Sequence, residues 1–538
     1  MKKAAKFVSE NWDYLFLSVF IIIGLVLRFT NITKLYFFAY DQARDDLIVK
    51  RILVDKKFTL LGPQSSIGGV YSPPVYYYTL ALPLWLFGLS PVGPDFYTAF
   101  IGLLTVILIF FVANSLFGRP SGFFAAALLA TSPIMVELSR RAWNPNTLPF
   151  FSLLAFALAY RFWTSSQEKL LFLVSLVFGY TLSLHYSAFC LLPVMVYLWV
   201  NYFLKKKRIL PIALAFSIIF CFFLPLLLFD FRHGFALSKN IASIFSPKAT
   251  SSQSSPSFPE ASLASVYEVM VVPLSGYFLT SVPKVSVPYE FIGRISEVFT
   301  KPLPVSIIAH KSLFINYYSW GKIVFLLILV FSLVKIFSSS PKNKALLFIW
   351  IWFVSAIVLS RLYQGKIYFF YYLFLFPIPF LFWSVTLKWL FDKKGWFRVF
   401  VVLVVLAVVA INIKNERLNF KAEAGNRSIT DIKAVAEIIS LDAVSGSFNI
   451  ATNHKDPGRW DHHALDYRYF VETLYKSKPL DWYPENYKQS LVLYLVSEGK
   501  LDDPLSSKIM EVQEFGPGKI ENIWNYKDKV FVYKLSKK

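Results

Sequence analysis

The segment YLFLSVFIIIGLVL at residues 14–27, followed shortly by YDQARDD at residues 40–46, decides how this chain is read. The first is an apolar run of the kind that enters a bilayer. The second sets three carboxylates and a guanidinium just beyond it, in a chain with little other clustered acid. Ionised groups at a bilayer edge are costly to keep without a use, so this cluster is the first place to look for chemistry.

Composition describes the protein around it. With 56% hydrophobic residues, 18% aromatic and only 16% charged, and a mean hydropathy of +0.51, the chain exceeds the apolar share of a soluble domain. It reads as an α-helical polytopic membrane protein. Cys190 and Cys221 both lie inside apolar runs, which points to neither a disulfide framework nor a thiol metal site. The formal charge of +22 is spread over many loops, which suits contact with anionic lipid and not a nucleic-acid surface.

The opening MKKAAK has no small-residue cleavage pattern after its apolar run, so residues 14–27 read as a retained first helix with Lys2, Lys3 and Lys6 inside. Further apolar runs lie near 96–116, 122–137, 147–163, 170–185, 187–204, 209–229, 318–336, 345–360, 367–387 and 397–413. Several are short of the roughly 20 residues a helix needs to cross. The run 75–89 is taken as re-entrant or interfacial, because that choice leaves KKKR (205–208) on the inner side. Arg119, Lys342, Lys344, Lys393, Lys394 and Arg398 then fall inside as well.

The outer face collects a first loop (30–74), residues 138–146, the surroundings of His185, a long loop (230–317), residues 361–366 and the tail from 414. The chain therefore divides into a membrane domain over 1–413 and a small extracytoplasmic α/β domain over 414–538. Within the tail, residues 428–439 read as a capped helix, and β-rich runs follow at 448–451, 491–496 and 530–535. Residues 245–262, with SSQSSPSFPE, lack any period. The localisation expected is a prokaryotic cell membrane, with the site and tail outside.

In the first loop, Asp41, Arg44 and Asp45 have helical i, i+3, i+4 spacing and share one face, while Leu47, Ile48, Ile52 and Leu53 offer apolar contact to the membrane interface. The segment LLGPQSSIGGVYSPPVYYY (60–78) then supplies turn residues and three tyrosines suited to an interfacial belt.

Several motifs in order carry a family resemblance: YDQARDD, SPPVYYYTLALPLWLFG (72–88), LFGRPSGFFAAALLATSP (116–133), SRRAWNPNTLPFF (139–151) and RLYQGKIYFFYYLFLFPIPF (361–380). Together, over residues 14–391, they resemble the GT-C glycosyltransferases, especially the protein O-mannosyltransferase and bacterial aminoarabinose transferase branch. That resemblance implies transfer of a sugar from a polyprenyl-phosphate carrier to a protein, lipid or glycan acceptor on the outer face. The alternative class is a non-enzymatic transporter or flippase of lipid-linked sugars, whose ionisable residues would gather near the midplane. Here they gather at one face.

A sugar esterified to a lipid phosphate already has a good leaving group, so one base and some cations suffice. Asp41 is the candidate base for an inverting transfer, and Arg44, Arg361 and Lys366 are candidates to hold the donor phosphate. Asp45, Asp46, Tyr71, Arg140, Asn146, His185, Arg232 and His233 are candidate supporting residues. Arg140 and Arg141 also suit a simple anchoring role, and His185, at a span end, suits interfacial hydrogen bonding. Two departures stand out: Gln42 follows Asp41 where many members have Asp-Glu, and Asn146 stands where an acid often follows the proline, with Asn144 before it. No obligatory metal or other cofactor is expected, since a site shared by the two loops would lack half its hard oxygen charge. His454, Asp461, His462 and His463 in HKDPGRWDHH match no zinc spacing and read as a solvated loop and helix start.

Overall fold

Apolar runs punctuated by proline and basic loops become a helical membrane domain. The computed structural model describes residues 2–33, 38, 40–65, 69–244, 269–270, 280–281, 303–308, 311–317, 319–337, 342–360, 369–393, 395–415, 428–444, 447–454 and 462–538. Helix α1 (Lys2–Phe29) contains the first apolar run. It leads to α2 (Tyr40–Leu53), α3 (Val75–Leu86), α4 (Val92–Phe117), α5 (Arg119–Thr131), α6 (Pro133–Ser139), α7 (Leu148–Ser165), α8 (Glu168–Leu184), α9 (Leu192–Lys206), α10 (Leu210–Cys221), α11 (Leu224–Arg232) and α12 (Ala236–Ile244). Among the described residues, Val92–Phe117, Tyr186–Lys206 and Trp396–Lys414 are long and apolar enough to cross a membrane.

Two expected single runs are broken. Residues 122–137 fold as α5 and α6, bent by 64°, and residues 209–229 fold as α10 and α11, bent by 58°. The first break has a local cause: Pro133 opens α6 without an N–H, and the Ser132 hydroxyl accepts from the Met135 N–H. The buried Arg28 guanidinium completes it by donating at the helix end to the carbonyls of Ala130 at 3.0 Å and Leu129 at 3.4 Å, the latter shared with the Ser132 N–H. Helix α3, with 12 residues, is roughly 18 Å long, too short for a hydrocarbon core of about 30 Å.

The later membrane helices are α13 (Ser319–Ile336), α14 (Lys342–Ser360), α15 (Ile378–Phe391) and α16 (Trp396–Asn415). Before them, β1 (Thr280–Ser281), β2 (Leu303–Ile308) and β3 (Lys311–Tyr317) form a small antiparallel sheet.

The tail is a sheet with helices on both faces. It contains α17 (Ile429–Asp442), β4 (Phe448–Asn453), α18 (Leu465–Thr473), α19 (Pro484–Gln489), β5 (Val492–Glu498), α20 (Met510–Phe515), β6 (Gly518–Tyr526) and β7 (Val530–Lys537). The expected capped helix is α17, opened by a capping box between Ser428 and Asp431. Strand order is β4-β5-β7-β6, with only the β4–β5 pair parallel. Side chains alternate across β5, which explains why both faces need cover. Tyr494 and Val496 pack with Ile432, Val435 and Ile439 of α17 on one face. Leu493 and Leu495 pack with Val512 and Phe515 of α20 on the other. The largely exposed edge strand β6 and the helix α18 were not read from the sequence.

Helix α2 joins the two domains. Ala43 and Leu47, with Phe38, belong to the tail's core. Val49 and Ile52 belong to the core of the membrane domain. The expected lipid-facing stripe is thus corrected: Leu47 is fully buried against protein, and Ile48 packs on the membrane-domain core. Tyr76 and Tyr77 are likewise interior residues and not an interfacial belt; only Tyr78 is exposed.

Candidate active site

The first turns of α2 gather the charges that the helical spacing predicts. Arg44 Nη1 lies 2.9 Å from Asp41 Oδ1, and Arg44 Nη2 lies 2.6 Å from Asp45 Oδ1. Arg44 Nε also donates to Asp45 Oδ1 at 2.8 Å, and the guanidinium sits 5.4 Å from the Tyr40 ring centre. Exposure separates the acids. The Asp41 side chain is 38% exposed, whereas those of Arg44 and Asp45 are 9% and 2% exposed. Asp41 is therefore the acid of the cluster that an incoming molecule can reach.

Asp45 and Asp46 have a different character. Burial pushes the Asp45 carboxyl up to about 6, with Arg44 pulling the other way. Burial also raises Asp46, helped by the neighbouring negative charges of Asp95 and Asp45. Among the described residues, Asp46 Oδ2 has no hydrogen-bond partner.

The segment that follows α6 is tied to α1, α4 and α8 by hydrogen bonds. Asp95, at the start of α4, accepts the Ala142 N–H at 2.6 Å and so ties that segment to α4. Arg140 donates to the carbonyls of Leu27 at 2.7 Å and Thr30 at 2.6 Å, closing the end of α1. Its described contacts are those of an anchor. Arg141 lies 3.5 Å from Glu137. The Asn144 amide donates to Leu184 O at 2.5 Å, and the Asn146 amide donates to Arg141 O at 3.0 Å.

The other candidates lie in three places. His185 opens a 3-10 turn, its Nδ1 2.9 Å from Ser187 Oγ, and its ring lies against Phe370 and Tyr371. The Tyr71 carbonyl accepts from the Tyr186 hydroxyl at 2.5 Å, linking the first loop to the same turn. Arg232 and His233 end α11 in exposed positions, with His233 stacked 3.9 Å from Phe229. Among the described residues, no hydrogen bond or ion pair joins either to α2. Arg361 and Lys366 lie outside the described residues, as does Asp461. His463 Nδ1 lies 2.8 Å from the buried Glu511 Oε1, and His454 stacks 4.6 Å from His462. Among the described residues, no group of three or more His, Cys, Asp or Glu is arranged to hold a metal ion.

Sequence reasoning missed the far end of α2. Lys50 and Arg51, with side chains 5% and 17% exposed, meet Glu472 and Asp481 from the tail. The available signal was spacing: Arg51 stands seven residues after Arg44, two helical turns along the same stripe. Asp95 also announced itself, as an acid placed at the mouth of an apolar run.

Residues 71–229 match the family described as dolichyl-phosphate-mannose-protein mannosyltransferase. The structure superposes on the crystal structure of apo ArnT from Cupriavidus metallidurans over 98% of each chain, with a TM-score of 0.56 at 12% identity. This chain has the fold of that ArnT. The same ArnT bound to undecaprenyl phosphate matches over 97% of this chain and 98% of that one, with a TM-score of 0.52 at 13% identity. The archaeal oligosaccharyltransferase AglB from Archaeoglobus fulgidus, in complex with an inhibitory peptide and a dolichol-phosphate, matches over 91% of this chain and 70% of that one, with a TM-score of 0.51 at 13% identity. None of the curated proteins matches in sequence. The GT-C likeness drawn from the motifs of residues 14–391 thus extends, as a fold, into the tail.

Proposed function

We propose that this GT-C protein is a membrane glycosyltransferase that moves a sugar from a polyprenyl-phosphate carrier to an acceptor hydroxyl, with inversion. The observation that carries this reading is the head of α2: a half-exposed carboxylate, Asp41, 2.9 Å from the guanidinium of Arg44. The match of residues 71–229 to a dolichyl-phosphate-mannose family and the bound undecaprenyl phosphate of the ArnT structure support the donor class.

In the proposed step, Asp41 accepts the proton of the acceptor hydroxyl as its oxygen bonds to the anomeric carbon. The bond from that carbon to the phosphate oxygen breaks, and the carrier departs as its phosphate. Arg44 holds that phosphate by charge-assisted hydrogen bonds and stabilises the charge growing on it. Asp45 orients Arg44 from its buried side. Arg361 and Lys366 are proposed as additional phosphate contacts. The acceptor class is a protein, a lipid or a glycan, and the site and tail face outside the cell membrane.

The residues present fit a resident divalent metal poorly. Asn144 and Asn146 commit their amide N–H groups to backbone carbonyls and offer only neutral oxygens. No obligatory metal is proposed.

The test uses the purified full-length chain and Asp41→Asn with labelled polyprenyl-phosphate sugars and candidate acceptors, guided by mass analysis of glycans from cells with and without the protein. Transfer by the parent and its loss in the variant are expected. Equal turnover by both removes Asp41 as base, and carrier movement without transfer removes the enzyme.

A further inference from the structure

Helix α2 carries the acid and the arginine, yet half of its surroundings come from the distant tail. Arg51 Nη2 lies 2.7 Å and Nε 3.3 Å from the two carboxylate oxygens of Glu472, a bidentate pair across the domain boundary. Arg51 Nη1 lies 2.8 Å from Asp481 Oδ1, and the guanidinium sits 5.2 Å from the Trp482 ring centre. Lys50 Nζ lies 3.6 Å from Glu472 and 3.1 Å from Asp55. One and two turns earlier, Leu47 and Ala43 are fully buried in the tail's own core. At the entry to α2, Phe38 packs edge-on against Tyr469 at 5.5 Å. The Tyr469 hydroxyl reaches past the helix to the Leu89 carbonyl at 2.6 Å.

These contacts do more than hold two domains together. A helix lying between two bodies can roll about its axis, and a roll of α2 would carry Asp41 and Arg44 with it. Apolar contacts such as Leu47 and Val49 resist separation but tolerate rotation, because they are non-directional. A planar guanidinium held bidentately by one carboxylate and by a second on another side is directional, so it resists rolling. Arg51 stands two turns from Arg44 on nearly the same stripe, so what fixes one fixes the azimuth of the other.

We propose that the C-terminal domain is the positioning element of the site, and that Arg51, gripped by Glu472 and Asp481, is a positioning residue that sets the roll of α2 and thereby the place of Asp41 and Arg44. The catalytic part of this statement rests on the glycosyltransferase reading. The mechanical part does not. A misplacement of about 1 Å at a reacting group can lower a rate by about 10²-fold, so the grip matters far from the chemistry.

The experiment uses the full-length chain in nanodiscs and three variants: Arg51→Ala, Asp481→Asn as the milder lesion, and the charge exchange Arg51→Glu with Glu472→Arg. Two readouts are taken, amide hydrogen exchange in peptides spanning residues 40–53 and the Kd for undecaprenyl phosphate. Arg51→Ala should speed exchange across α2 by about tenfold or more and weaken undecaprenyl phosphate binding by a similar factor. Asp481→Asn should do the same to a smaller degree with the thermal midpoint unchanged, and the charge exchange should restore both readouts in part. Exchange and Kd within about twofold of the parent in both single variants would overturn the proposal, as would loss of both without recovery in the exchanged pair. If the parent itself fails to bind undecaprenyl phosphate, the glycosyltransferase reading fails while the exchange data still decide the grip.

Discussion

The two ends of α2 carry similar residues and live in different worlds. At its head, Asp41 and Arg44 form a pair in which the acid remains 38% exposed. At its foot, Arg51 is enclosed by Glu472, Asp481 and Trp482, and Lys50 by Glu472 and Asp55. On the proposed reading, the same ionic vocabulary serves chemistry at one end and mechanics at the other. The tail packs along both ends, with Phe38 and Ala43 in its core, and what separates them is that Asp41 at the head stays 38% exposed while Arg51 and Lys50 at the foot are held by tail carboxylates. An acid left accessible beside a single cation retains the freedom to exchange partners with a substrate; a cation held by several partners, the buried Glu472 among them, acts as a fastener.

The largest effect that tests this division is at the head. Asp41→Asn should lower sugar transfer by about 10²–10⁴-fold, with stability changed by no more than about 0.5 kcal/mol because the site is partly exposed. Label transfer and a thermal scan check both. Transfer at parental rates would erase the distinction between head and foot.

Arg44→Ala should come next. Loss of a charge-assisted contact worth about 1.5–3 kcal/mol predicts undecaprenyl phosphate affinity lower by about 10–100-fold, measurable by titration calorimetry. Arg44→Lys should recover only part, since an ammonium cannot reproduce the forked geometry.

A smaller effect concerns Asp45, which lies between the two ends. Its carboxyl rises from 3.8 to about 6 on folding, chiefly through burial. A raised acid contributes stability fully below pH 3.8 and loses it as pH climbs through about 6. Asp45→Asn, neutral throughout, should therefore flatten the decline of stability with rising pH over that window. Denaturation midpoints measured at several pH values would show it, and an unchanged slope would remove Asp45 as its source.

The smallest effect is expected away from α2. Arg232→Ala and His233→Ala, at exposed positions beyond α11, should alter transfer less than about twofold and stability within about 0.5 kcal/mol. A larger loss of transfer would extend the site to α11 and show that the head of α2 does not act alone.

Much of this was legible because its signals are local. The ion pair of Asp41 and Arg44 follows from three-residue spacing on a helix, and the capped helix at Ser428 follows from a serine with an acid three residues on. Arg140 was open between phosphate contact and anchor, and the carbonyls of Leu27 and Thr30 that it meets lie more than a hundred residues away, where no local signal names them. The bend between α5 and α6 was hidden, although Ser132 and Pro133 marked the place. Apolar composition continues through a break, and the cation that closes it, Arg28, comes from a different helix.

The sequence by itself determined a polytopic helical membrane protein, a GT-C likeness, and an acid–arginine cluster in the first loop, because hydropathy, motif order and i, i+3 spacing are read along the chain. Only the tertiary structure decided which acid is open and which are buried, and that α2 is a helix enclosed by protein and not a raft on lipid. The reason is that Leu47 offers the same apolar surface to a membrane as to a protein core. Its true neighbours, Ile432 through Val532, stand hundreds of residues away, and nothing local to Leu47 names them.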